Sequence, residues 1–305
     1  MHDRMLIEAA RWFNYRFPWH QLKPSLAKRV RSRLDCSGGR RVYDGVQGNL
    51  RMLLDLSVGF ERDIYLNAST NLEMLSVFRK VLQPGDVYID GGANLGFLTL
   101  VAWQCVGTQG KVYAFEPQPA ALELLNQNIA LNHADNITVV AKAASDEPGF
   151  AAFYEFADSD YDLPSLGKRP DKNVQREYRV ETVRMDDVVT EPVRLYKLDI
   201  EGAEWQAMRG SERILFSDPP PHVIIELNPR TCEGFGHHPL QVLDWFLERA
   251  PNRRMHLIRR RRCVRVNRKF LEQLFERRPN KSHNVWLEPQ GGGMKDEGGR
   301  RRDEG

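Results

Sequence analysis

The feature that most constrains the fold is one alternation, an apolar strand and then a helix, repeated between Val87 and Leu227. Residues 87–90, 111–116, 137–143, 194–199 and 222–227 are short, mostly apolar runs. Phe97–Val106, Pro119–Leu131 and residues 203–215 read as helices between them. In the second helix Leu122, Leu125 and Ile129 share a face, and Pro119 stands at the start, where its missing N–H is harmless. Strands that are apolar throughout, separated by helices, predict a parallel sheet covered on both faces. A helix at residues 240–247 follows, and residues 255–258 with 284–287 predict a closing antiparallel pair.

Outside the alternation the chain changes character. Residues 1–45 are basic and aromatic, with Trp12, Phe13, Tyr15, Phe17 and Trp19 among arginines. Residues 25–34 have the pattern of a short basic amphipathic helix, expected to pack on the core or to make weak contact with a membrane surface. Residues 50–66 read as short strands, first on Met52, Leu54 and Leu56, then on Ile64 and Leu66. Residues 71–82 have helical spacing, ended by Pro84-Gly85. Residues 150–156 and 178–185 predict a hairpin. The polar stretch 157–176 between them is long for a turn and is expected to act as a lid or acceptor-selecting loop. From residue 290 glycines and mixed charges read as a disordered tail. The plan is an extension at 1–45, a catalytic domain at 46–289 with an insertion at about 150–185, and a tail at 290–305.

A net charge of only +3 argues against bulk capture of nucleic acid. The four cysteines, Cys36, Cys105, Cys232 and Cys263, have neither metal-ligand nor redox spacing, so free thiols in a reducing compartment are expected. No apolar run approaches the roughly 20 residues that cross a bilayer, and no secretory signal is recognisable. A cytoplasmic location is the expectation.

Asp90-Gly91-Gly92-Ala93-Asn94-Leu95-Gly96 stands where a strand ends and a helix begins. Gly92 and Gly96 permit a tight turn and close approach of a ligand. The helix start offers free N–H donors to an anion, and Asp90 is placed to accept from an ammonium. Glu116, twenty residues after Gly96 and followed by Pro117, ends the next strand. A carboxylate there accepts from both hydroxyls of a ribose. The two elements together predict a cofactor that contains adenosine. Ala93 and Asn94 break the G-x-G-x-x-G pattern, as suits a ligand without a pyrophosphate, and this weakens an NAD-linked oxidoreductase as a rival.

Three segments, residues 90–96, Phe115-Glu116-Pro117 and Lys197-Leu198-Asp199-Ile200-Glu201-Gly202-Ala203-Glu204, together resemble the FkbM-type methyltransferases, over about residues 60–290. The K-x-D-x-E-G-x-E block is the specific part. Asn128, Asn132, Ala144-Ser145-Asp146, Met185-Asp186-Asp187 and Ile225-Glu226 agree with it. The resemblance implies an α/β, Rossmann-like class I methyltransferase, with a mostly parallel seven-stranded sheet and helices on both faces. It implies S-adenosyl-L-methionine as cofactor and, typically, O-methylation of a hydroxyl on a sugar, lipid or polyketide-like metabolite. Asp90, Gly92 and Gly96, completed by Gly91, Ala93 and Asn94, then hold the methionine portion, and Glu116 with Pro117 the ribose.

Methyl transfer from a sulfonium is an in-line displacement, so the acceptor oxygen must be aligned and must lose its proton. Asp199 ends a strand beside the one carrying Asp90, at the carboxyl edge where open α/β sheets bind ligands. We expect it to face the methyl and the acceptor. Glu201 and Glu204 are candidates to orient the acceptor, although acids are also favoured at helix starts for their own sake. Lys197 lies on the same strand face as Asp199 and is a candidate to pair with a carboxylate. A carboxylate is a weak base unless burial raises its pKa, so His237, beside His238 in a turn, is another candidate base, as is Glu226. Asp199, Glu201 and Glu226 would suit Mg²⁺ if they converged; metal-independent transfer is expected.

The arginines at 259–262, with Arg253, Arg254, Arg265 and Arg268 around them, suit phosphate or an anionic glycan, or equally a charged edge strand. A nucleic-acid methyltransferase would use them as a backbone track, yet no RNA-binding module is recognisable. A non-catalytic cofactor-binding or interaction module is the remaining rival. Asp218-Pro219-Pro220-Pro221 is similar to the D-P-P-Y motif of amino-methyltransferases but precedes the fifth strand, and it reads as a rigid loop. The expected partner is a small-molecule or glycan acceptor with a free hydroxyl, and no nucleic acid.

Overall fold

A computed structural model of the chain describes residues 2–16, 30, 32–34, 36, 39–66, 72–156, 165–168, 172–259 and 262–290. Its strands are β1 (Arg41–Val46), β2 (Leu50–Leu54), β3 (Val87–Gly91), β4 (Lys111–Phe115), β5 (Ile137–Val140), β6 (Ala143–Ala144), β7 (Gly149–Phe156), β8 (Val174–Val183), β9 (Leu195–Leu198), β10 (His222–Leu227), β11 (Arg253–Arg259), β12 (Arg262–Val266) and β13 (His283–Pro289). The main sheet runs β12-β11-β13-β10-β9-β3-β4-β5. From β10 to β5 every neighbouring pair is parallel. β13 pairs antiparallel with both β10 and β11, which brings the last of the described strands between them. This is the α/β class I methyltransferase arrangement.

Alternation along each strand divides the core in two. Tyr88, Leu195, Ile224 and Trp286 face the helices Leu72–Val81 and Phe97–Val106. Ile89, Tyr196, Val223 and Ile225 face the other way, onto Pro239–Arg249 and Arg268–Arg277. Both faces are covered, so no strand position tolerates a charge without a partner. Each large apolar side chain buried this way contributes about 1.5–3 kcal/mol. Phe97–Val106 is apolar on nearly every side because it is buried on nearly every side. Pro119–Leu131 is amphipathic, and Pro119 does open it.

The sheet has eight strands, where seven were expected. The eighth is β12, an antiparallel edge strand on β11 with the sequence Arg262-Cys263-Val264-Arg265-Val266. Ile64 and Leu66 do not mark a strand: Ile64 lies in the helix Gly59–Tyr65. Glu61 starts that turn by accepting the Asp55 N–H at 2.7 Å and the Arg40 guanidinium at 2.6 Å. The helix expected at 203–215 is two short ones, Glu204–Arg209 and Glu212–Leu215. They part at Gly210, whose backbone passes so near Ser145 that an added Cβ would lie 1.9 Å from the Ser145 carbonyl oxygen.

Two small sheets flank the large one. β1 and β2 form an antiparallel ribbon, tied to the rest by two asparagines of Pro119–Leu131 and its cap. Asn128 accepts the Leu53 N–H at 2.7 Å and donates to Leu95 O at 2.8 Å. Asn132 accepts the Arg51 N–H at 2.9 Å and donates to Arg51 O at 2.7 Å. The helix His2–Arg16 is fastened to the same region by Arg11, which donates to Tyr65 O, Asp44 O and Gly45 O. β7 and β8 form the expected hairpin, joined by β6 in a three-stranded sheet. The expectations of a helix at 25–34, of a tail after residue 290 and of most of the loop 157–176 lie outside the described residues. No helix among the described residues is long and apolar enough to cross a membrane.

Candidate functional site

The carboxyl ends of β3, β4, β9 and β10 meet along one edge of the sheet, and the motif residues gather there. At β3 the chain turns sharply into the next helix, with positive φ at Gly92, Asn94 and Gly96. The close approaches these glycines allow are to the protein itself. A Cβ on Gly92 would lie 1.9 Å from Asp199 O, and one on Gly96 would lie 2.6 Å from Leu125 Cδ1. One on Gly91 would meet Leu198 at 2.6 Å. The loop's amides are also engaged. Gly92 and Ala93 donate to Phe115 O, Gly96 donates to Ala93 O, Leu95 donates to Asn94 Oδ1, and Asn94 donates to Glu116 Oε2. The donors expected at the helix start are therefore not those of residues 92–96 and would have to come from the first turn of Phe97–Val106. The loop is a braced turn, and its order is what holds Glu116.

Asp90 also departs from expectation. It is fully buried and faces Lys197, whose Nζ lies 3.0 Å from Asp90 Oδ1; Thr99 donates to Oδ2 at 2.7 Å. Lys197 donates further to Gly92 O at 3.1 Å and reaches to 4.0 Å from Asp199 Oδ2. Burial pulls the Lys197 ammonium down, but the Asp90 and Asp199 carboxylates outweigh it and hold the ammonium above its usual value. Lys197 is thus a fixed positive charge beneath the site, and Asp90 is its counter-ion.

Glu116 ends β4 and lines a pocket with Gly92, Asn94, Phe115, Pro117, Gln118, Lys142, Ala143, Ala144, Phe153, Leu166, Asp199, Ile200, Glu201 and Ala203. Each carboxylate oxygen accepts one amide, Oε2 from Asn94 at 2.8 Å and Oε1 from Gln118 at 2.9 Å. Each keeps a lone pair for a further donor. Burial pushes the Glu116 carboxyl up to about 7, against the pull of the Gln118 and Asn94 amides. Phe115, Ala143, Ala144 and Phe153 give the pocket an apolar floor and wall suited to a flat heterocycle. A ribose, whose hydroxyls donate to Glu116, and a base against the apolar wall fit this arrangement. The accessible space between these side chains is about 60 Å³.

β9 delivers Asp199, and the chain then turns tightly. Glu201 sits at φ 56 and Gly202 at φ 102; a Cβ on Gly202 would lie 2.4 Å from Thr231 O. Glu204, 1% exposed, accepts the Ile200 and Gly202 amides at 3.1 and 3.3 Å and so closes the turn from within. It does not line the pocket, and its role is that of a helix-start brace. Burial pushes its carboxyl up to about 7. Ser165, which no sequence pattern marked, ties the hairpin loop to the same turn through a 2.6 Å bond from Oγ to Glu201 O.

Carboxylate oxygens of Asp199, Glu201 and Glu226 lie within 4.8 Å of one another. Burial, then the neighbouring Asp199, Glu201 and Glu204 carboxylates, push Glu226 well above the ordinary range. A set like this can share a proton or hold a hard cation. Asp199 also lines a second cleft of about 860 Å³, with Glu226 and residues of β11, β13 and the helix Arg268–Arg277. It is therefore the residue at which the two cavities adjoin. His237 lines neither cavity. Its ring packs edge-on against Trp205 at 5.1 Å, and burial lowers its pKa. His238 caps Pro239–Arg249, its Nδ1 accepting the Leu240 N–H at 3.2 Å. Neither His237 nor His238 is thus placed to act at Asp199, where carboxylates gather instead. Glu226 was legible by the logic that found Glu116, an acid closing an apolar strand; Phe153, Leu166 and Ser165 carried no such signal.

The sequence model of the family described as the methyltransferase FkbM domain matches residues 90–254. No curated protein matches the chain. Among solved structures, methyltransferase FkbM from Methylobacillus flagellatus KT is similar at 16% identity and a TM-score of 0.42, over 74% of this chain and 52% of its own. The chain thus spans about half the length of that protein, 52%. An rRNA methylase from Streptococcus thermophilus is similar at 14% identity and a TM-score of 0.42, over 72% of this chain and 95% of its own. A protein from Streptococcus mutans assigned as a methyltransferase and solved in complex with SAH is similar at 12% identity and a TM-score of 0.43, over 72% of this chain and 97% of its own.

Proposed function

The chain belongs to the FkbM methyltransferase family, and from that premise we propose that it uses S-adenosylmethionine to methylate a hydroxyl oxygen on a sugar, glycolipid or polyketide-like acceptor. The observation that carries the reading is the place of Asp199, which is shared by the Glu116 pocket and the large cleft. A cofactor in the first and an acceptor in the second would meet at that residue.

S-adenosylmethionine supplies an electrophilic methyl on sulfur. Glu116 accepts from the ribose hydroxyls, and the apolar side chains of Phe115 and Phe153 cover the base. The acceptor hydroxyl is held at the Asp199–Glu226 pair. As the oxygen took the methyl, its proton would pass to that pair of carboxyls, of which Glu226 is held well above the ordinary carboxylate range by burial and by its acidic neighbours. Lys197 is a positioning residue that holds Asp199 and the end of β3 in register. The segment 157–176 acts as a lid, supported by Leu166 in the pocket wall and by Ser165 on the Glu201 turn. A cytoplasmic location belongs to the same proposal, supported by cysteine spacings that suit neither a metal site nor a redox pair.

Calorimetric titration with S-adenosylhomocysteine, with NAD⁺ as the control, tests the reading. Micromolar binding corresponds to about 8 kcal/mol. Glu116→Ala should cost about 1.5–3 kcal/mol of it. Asp199→Asn should bind as wild type and lose about 10²–10⁴-fold in turnover. Preference for NAD⁺, or no binding of S-adenosylhomocysteine, would overturn the assignment.

A further inference from the structure

The large cleft is acidic at one end and basic at the other. Along the carboxyl edge the order is Asp199 after β9, Glu226 at the end of β10, His283 and Asn284 at the start of β13, and Arg259 at the end of β11. Register confirms the row, because Asn284 pairs with Glu226 on one side and Ile258 on the other. Arg277, Arg278 and Lys281 close the basic end.

Among the described residues, none of Arg259, Arg277, Arg278 and Lys281 has a carboxylate within ion-pairing distance, in contrast to Arg268 nearby, which grips Asp244 at 2.6 Å. Three of them act on one imidazole: burial first, then the charges of Lys281, Arg259 and Arg278, push His283 down to about 4. Two polar atoms in the cleft wall, His283 Nε2 and Asn284 Oδ1, are buried without a hydrogen-bond partner. Arg259 is also not the outermost position of the sheet, since β12 lies beyond β11. Protection of the sheet edge therefore does not account for it.

We propose that the acceptor carries a phosphate-like oxyanion, anchored by Arg259, Arg277, Arg278 and Lys281 while its hydroxyl reaches Asp199 and Glu226. The inference rests on the methyltransferase reading of this cleft. Guanidinium forks suit such an anion. The row also sets a length. Asp199 and Arg259 are three strand spacings apart, and at about 4.8 Å per spacing the oxyanion and the methylated hydroxyl lie about 10–15 Å apart. The cleft's volume, about 860 Å³, falls in the range of small-molecule sites, and the acceptor proposed is small rather than a polymer.

The test is calorimetric titration of the full chain, saturated with S-adenosylhomocysteine, with inorganic pyrophosphate and separately with a single-stranded RNA oligonucleotide. The variant is Arg277→Glu with Arg278→Glu, both exposed positions. Wild type is expected to bind pyrophosphate, and the variant to bind it about tenfold or more weakly, with S-adenosylhomocysteine affinity unchanged. Equal pyrophosphate affinity in both proteins, or none in wild type, would overturn the oxyanion anchor and leave the methyltransferase reading intact. RNA binding that the variant abolishes, without pyrophosphate binding, would overturn the small acceptor. Pyrophosphate binding with no affinity for S-adenosylhomocysteine would remove the methyltransferase reading and the acceptor assignment with it.

Discussion

Lys197 shows what a single side chain decides here. An ammonium 2% exposed is tolerated only because Asp90 lies 3.0 Å away and carbonyl oxygens take its other protons. Removing one partner strands the other in the core. Lys197→Met should therefore lower unfolding free energy by about 3–5 kcal/mol, read by urea denaturation, and Asp90→Asn combined with it should recover part of the loss. Stability equal to wild type in the single variant would show that the pair is dispensable. Glu116 makes the second residue-scale prediction. Its carboxyl is pushed up to about 7, and ribose hydroxyls donate best to the ionised form. Affinity for S-adenosylhomocysteine should rise with pH below about 7, by up to about tenfold per unit, and level off above it. Glu116→Gln should flatten the profile. A profile equally steep in that variant would assign the titration to another group.

At the scale of elements, the site is a set of turns fitted against one another. The turn after β3 touches the turn after β9 at Gly92, where the φ is 79° and Asp199 O leaves no room for a Cβ. Gly236 also has a positive φ, 73°, but faces open space. Alanine at Gly236 should cost only the left-handed penalty of about 1–2 kcal/mol. Gly92→Ala adds a backbone overlap to that penalty and should cost more than about 3 kcal/mol. Comparable thermal midpoints for the two variants would show that the β3 and β9 turns are not in contact. The sequence marked both turns as motifs, and glycine was their common sign. It gave no indication that the partner of Gly92 was Asp199 O, because that contact joins residues more than a hundred positions apart.

For the whole molecule, pH and metal separate the candidate roles of the acids. Glu204 is pushed up to about 7 in the folded chain and lies near its usual 4.5 when unfolded, so folding favours its protonated form. That contribution is complete below about pH 4.5 and is lost as pH rises through about 7. Urea midpoints should fall between about pH 5 and pH 8. Glu204→Gln should remove a share on the order of 3 kcal/mol, at 1.36 kcal/mol per pKa unit. An unchanged slope would deny the burial effect. The fixed charge of Lys197, 4.0 Å from Asp199, opposes a dication at the three-carboxylate cluster. Thermal midpoints should thus be equal in Mg²⁺ and in EDTA; a rise in Mg²⁺ would convert Asp199, Glu201 and Glu226 into metal ligands.

Local chemistry by itself determined the strand–helix alternation, the turn residues, the strand-end acids and the order in which they occur. Apolar runs, Pro119 and Gly96 act over a few residues, and a linear pattern records them. What the tertiary structure alone decided was which of those acids face a ligand. Asp90, Glu204 and Glu116 look alike in sequence, each an acid at the junction of a strand or turn with a helix. Asp90 is spent on Lys197, Glu204 on two amides, and Glu116 remains turned to the pocket. That choice depends on partners from distant strands, as does the convergence of Glu226 on Asp199 and of Arg277, Arg278 and Lys281 on the far end of the same cleft. Sheet order creates these contacts, and sheet order is a property of the packed whole.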